Sequence, residues 1–174
     1  MENFETELTG GHPNSLGNTE AVVAEVLRDT DRLEELFGCY FSQDPVVRLR
    51  VSNALKRIEK ANHPLLLPYL DHLIDEISTI DQASTQWTLA QLFLEYQRDL
   101  SSEQRQRAIR VMQRNLQTSD DWIVLNMTLK TLFQWAKKEA ELRDWLIPEL
   151  QRLETDERKS VSGRARKFLA TLTA

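Results

Sequence analysis

Apolar residues recur at three- and four-residue steps through most of the chain, and the clearest run is Asp44 to Ile58. Val47, Val51, Ala54, Leu55 and Ile58 share one helical face, while Arg48, Arg50, Lys56 and Arg57 fall mainly off it. Asp44 suits an N-cap, and Pro45 suits the first helical position because its missing N–H has no intrahelical partner to lose. The same spacing predicts helices over about 19–28, 31–41, 82–96, 102–116, 119–137, 140–153 and 159–172. A partner helix follows the break at Asn62-His63-Pro64. Together these are about nine helices and no strands. Val22, Val23, Val26 and Leu27 are expected to face inward on the first, and Leu33, Leu36, Phe37, Tyr40 and Phe41 on the second. Asn18 is expected to cap the first helix, Ser101 with Gln104 has capping-box spacing, and Ser119 or Asp120 is expected to open the helix through Met127. Pro68 and Pro148 are expected to bend the helices that contain them. Residues 1–17 hold Gly10, Gly11, Pro13 and Gly17 with little periodic apolar spacing, and are expected to form a disordered tail ahead of a single domain over 18–174.

The helices repeat. Leu55, Leu92, Leu132 and Leu169 occupy equivalent positions at spacings of 37, 40 and 37 residues. Asp121, Val124 and Trp135 around Leu132 match Asp44, Val47 and Ile58, and Val161 and Ala165 around Leu169 match Val47 and Val51. The unit around Leu92 is the most divergent, with Ser84, Thr85 and Thr88 at the positions of Val47, Arg48 and Val51. The second helices follow: Leu66, Tyr69, Leu70, Ile74 and Ile77 align with Leu142, Trp145, Leu146, Leu150 and Leu153 at a shift of 76.

Asp, Pro, a branched apolar residue with Arg, then a small residue followed by Leu, as in Asp44 to Leu55, resembles the first helix of a HEAT repeat. The resemblance is good over this helix and looser elsewhere. It implies a right-handed α-solenoid of stacked antiparallel helix pairs. It also implies that the second helix of each pair lines a concave groove used to hold extended segments of other proteins.

No Gly-rich phosphate loop, Gly-x-Ser-x-Gly elbow or His-Glu-x-x-His helix is present in the sequence, and no cofactor or catalytic residue is expected. His72 and Glu76, flanked by Asp71 and Asp75, supply half a metal site, which falls short of the three or four convergent ligands a metal needs. Cys39, the only cysteine, lies among apolar residues and is expected to be buried and inert. No stretch approaches the ~18 apolar residues of a membrane span. With Glu2, Glu5 and Glu7 and no apolar core, the N-terminus does not read as a secretory signal, so a cytoplasmic location is expected.

The net charge of −5 hides an asymmetry. Residues 1–81 carry 15 acidic and 7 basic side chains, and residues 82–174 carry 12 and 15. Within the second half, Arg107, Arg110 and Arg114 form one stripe opposite Ile109, Met112 and Leu116. By the HEAT resemblance this is a second helix, so the stripe belongs in or beside the groove and can pair with carboxylates or phosphates. The basic run Arg158 to Lys167 reads as a solvated helix face. Trp135 and Trp145 hold repeat core positions, whereas Trp87 and Trp122 are candidates for partial exposure.

The expected function is therefore a non-catalytic scaffold or adaptor that binds another protein or an extended peptide segment through Tyr69, Arg107, Arg110, Arg114 and Trp122. The alternative implied by the resemblance is DNA binding, as in HEAT-like glycosylases for alkylated bases. No residue matches that family's catalytic Asp, and the net charge disfavours a nucleic-acid partner.

Overall fold

The structure, a computed structural model, describes residues 3–174. Among them it holds ten α-helices, short 3-10 turns and no strand. No helix among the described residues is long and apolar enough to cross a membrane. Two compact units divide the chain after Thr88, which is also where the acidic and basic halves meet.

The first unit contains α1 (Phe4–Leu8), α2 (Thr19–Arg28), α3 (Leu33–Gly38), α4 (Pro45–Ala61) and α5 (Leu70–Asp75). Helix α4 is its centre: α1 and α2 pack on it, as do the 3-10 turns Cys39–Phe41 and His63–Tyr69. Its expected face is buried, with Val47, Val51, Ala54, Leu55 and Ile58 all at 0% exposure. Asp44 caps it by accepting a hydrogen bond from Val46 N at 2.8 Å, with Pro45 in the first turn.

Within the stretch expected as a loose tail, α1 is packed against the unit while residues 9–15 and Gly17 are exposed. Asn3 caps α1, Phe4 and Leu8 are buried, and the Arg32 guanidinium lies 3.8 Å above the Phe4 ring. Arg50 explains the rest. Its spacing placed it off the apolar face, yet it is fully buried. Nη1 donates to the carbonyls of Leu8 and Gly10, each at 2.7 Å, and Nη2 and Nε reach the carbonyls of His12 and Ser15 at 3.3 Å. A buried guanidinium is tolerable only when its donors are met, and here backbone carbonyls meet them. Gly17 has φ +51°, and a Cβ there would lie 2.8 Å from the guanidinium carbon. Gly17 is therefore fitted against this arginine.

Three further expectations are corrected. The helix expected over 31–41 is broken into a 3-10 turn at Thr30–Arg32, α3, and a second turn at Cys39–Phe41, which swings Phe41 out to 54% exposure; Leu27 reaches 36%. Pro68 does more than bend its helix. Lacking an N–H and clashing with the carbonyl four residues back, it holds His63–Tyr69 in 3-10 form, and α-helix begins only at Leu70. Asn18 sits at the N-cap of α2 without a side-chain cap bond, its amide donating instead to Glu7.

The chain passes into the second unit within α6 (Ala83–Glu95), where Ser84, Thr85 and Thr88 are buried. There follow α7 (Ser102–Thr118), α8 (Trp122–Ala136), α9 (Ala140–Leu153) and α10 (Lys159–Leu172). Helix α8 packs on α7, α9 and α10, and α10 packs also on α9. Both halves of the Ser101–Gln104 capping box form. Asp121, not Ser119 or Asp120, caps α8, accepting from Ile123 N at 2.8 Å and Val124 N at 3.0 Å. Ser119 Oγ accepts from Asp121 N at 3.2 Å, just as Ser42 Oγ accepts from Asp44 N at 3.1 Å in the first unit. The same two-residue device thus recurs at the 77-residue shift. Helix α9 runs on through Pro148, whose side is exposed.

Candidate functional site

Helix α7 places Arg107, Arg110 and Arg114 on one side because its opposite side, through Ala108, Ile109, Met112 and Leu116, is buried. The three arginines are not equivalent. Arg107 is half-buried with Nε 3.9 Å from Glu103 Oε1, and Arg114 is exposed with Nη2 3.3 Å from Asn115 Oδ1. Arg110 is exposed and has neither an ion pair nor a hydrogen bond among the described residues. It stands at a cavity of about 360 Å³ between α7 and the start of α9, with Gln106 and Gln113 on one wall and Glu139 and Glu141 on the other. Ile109 and Leu142 form the apolar floor.

Arg105, one turn earlier, shapes this wall and was not singled out by the spacing. Its Nε donates to Glu139 Oε1 at 2.5 Å, and its guanidinium lies 4.0 Å above the Trp135 ring. Glu139 is consequently held by Arg105 rather than capping α9 with its side chain. Arg152 Nη2 donates to the Leu116 carbonyl at 3.2 Å and Gln117 to Glu149 at 3.1 Å, so α7 and α9 are joined at the far end too. The cavity lies between two helices fixed at both ends.

Trp122 opens α8 at 53% exposure in the same unit. Tyr69 belongs to the other unit. It is half-buried and stacks on Phe37 with ring centroids 4.5 Å apart and planes 7° from parallel. Burial, and then the carboxylates of Glu34 and Asp31, raise its pKa. The expected site residues therefore fall in two groups, Tyr69 in the first unit and the arginines with Trp122 in the second.

His72 Nδ1 pairs with Glu76 Oε1 at 3.0 Å and its ring lies edge-on to Phe37. No group of three metal-binding side chains comes together among the described residues. Cys39 is buried, its thiol donating to the Glu35 carbonyl at 3.3 Å, and burial with the nearby Glu5 and Glu35 pushes its pKa up to about 11. No protein-family model matches the chain, and no curated protein matches it.

Proposed function

We propose that the chain is a non-catalytic scaffold or adaptor built as a HEAT-like α-solenoid, and that it holds an extended segment of another protein against α7. The observation that carries this is the unpaired Arg110 at the mouth of a cavity with an apolar floor and carboxamide and carboxylate walls. Such a mixture of one free cation, two amides, two acids and buried aliphatic groups suits a peptide, whose backbone and side chains present both hydrogen-bonding senses. Exposed Trp122 is an anchor of the type enriched at interfaces. The repeat reading is supported by side chains that bridge about one repeat of sequence: Arg158 and Arg164 each donate to a carbonyl 38 residues earlier, and Arg48 to Gln82 34 residues later.

The test is affinity capture by the native chain carrying a photo-crosslinker at Gln113, beside a variant with Arg107, Arg110 and Arg114 changed to Glu. A protein crosslinked at α7 and lost from the variant supports the assignment. A partner retained equally by the variant overturns it.

A further inference from the structure

A second cavity, of about 640 Å³, opens between α8 and α10 within the second unit. Four of its lining side chains are cationic, Lys130, Lys159, Arg164 and Lys167, and none is a carboxylate. The lysines have no ion pair or hydrogen bond among the described residues, while Arg164 is fixed by donating to the Asn126 carbonyl at 2.8 Å. A solvated helix face accounts for single lysines. It does not account for four cations around one concavity with no carboxylate in its lining.

Two placements carry a cost that folding does not repay. Gly163 sits in the interior of α10, where glycine is unfavourable, and a Cβ there would meet nothing within 4 Å, so packing does not require it. Its missing side chain keeps the cavity open. Lys159 begins α10, whose first turn has no acidic residue, so the cation faces the positive end of the helix dipole. Both become favourable when an anion occupies the space. Beside the cations lies Phe168, stacked at 3.9 Å on Phe133, with Lys137 Nζ 4.6 Å above the Phe133 ring.

We propose that this cavity binds a compact polyphosphate anion of the kind carried by a nucleotide, its phosphates on Lys130, Lys159, Arg164 and Lys167 and its organic part against Phe168. Compactness follows from the site itself, whose four cations all line one cavity. The proposal does not rest on the α7 groove.

Titration calorimetry of the full chain in low salt, with tripolyphosphate and with ATP as separate probes and no added metal, tests it. Saturable binding of both is expected, with ATP the tighter if Phe168 contributes. Lys159→Gln with Lys167→Gln, which removes two cation–phosphate contacts, should weaken both by about tenfold or more and lower the salt dependence of binding. Gly163→Leu, which projects a bulky good helix former into the cavity and changes no charge, should weaken binding comparably while the thermal melt shows an intact fold. The proposal is overturned by no saturable binding of either probe, by variants that bind like the native chain, or by a single-stranded oligonucleotide that binds more tightly than tripolyphosphate.

Discussion

Replacing Arg50 by Met keeps a long apolar stem in the centre of the first unit and removes every guanidinium donor to the N-terminal segment. Five hydrogen bonds go: two short ones to the carbonyls of Leu8 and Gly10, and three at 3.3 Å to the His12 carbonyl, the Ser15 carbonyl and Ser15 Oγ. A hydrogen bond to a charged group contributes about 1.5–3 kcal/mol, so the two short ones account for roughly 3–6 kcal/mol. The long ones add little. The loss is bounded from the other side, because the segment can lift and hydrate its carbonyls at the expense of exposing Phe4 and Leu8, about 1.5–3 kcal/mol each. Both routes converge on a destabilisation of about 3–5 kcal/mol, the range expected for breaking a buried polar network. Urea unfolding followed by circular dichroism measures it, and limited proteolysis between residues 9 and 17 reports whether the segment lifts. Arg50→Lys keeps the charge but not the fork and should fall between native and Met. A Met variant within about 1 kcal/mol of native, with residues 9–17 equally protected from protease, would refute the clamp.

Other outcomes follow from single contacts. Gly17→Ala places a Cβ against the Arg50 guanidinium at a positive φ, and should cost about 1–3 kcal/mol in the same unfolding assay. Asp44→Ala and Asp121→Ala each remove an N-cap and should each cost about 1 kcal/mol, roughly additively because the two caps are independent. Cys39 should react with a thiol reagent at pH 8 only as fast as the first unit opens, and at the rate of a free thiol in denaturant. Arg158 holds the Asp156 carboxyl down at about 2, so its stabilisation is complete above the ordinary carboxylate range and fades as pH falls from about 4 through 2. Asp156→Asn should flatten that part of the stability profile, and an unchanged profile would count against the pairing.

Much of the secondary structure was legible because it is encoded locally. Apolar spacing specifies α4, α7, α8, α9 and α10 without help from distant residues, and Asp44-Pro45 and the Ser101–Gln104 box mark the starts of α4 and α7. The arginine stripe on α7 is legible for the same reason, since three- and four-residue steps put side chains on one side of any helix. Tertiary structure decided the rest. Arg50 looks like a surface arginine until carbonyls 35 to 42 residues earlier in the chain converge on it, and nothing in residues 1–17 announces that Gly17 lies against a distant guanidinium. The cavity beside Arg110 depends on α9, which supplies its facing wall. Lys130 and Lys167 stand on different helices, and only the packing of α10 on α8 brings them to one cavity. Periodicity reports which side of a helix is apolar; which charged side chain that packing buries, pairs or leaves free is a property of contacts distant in sequence.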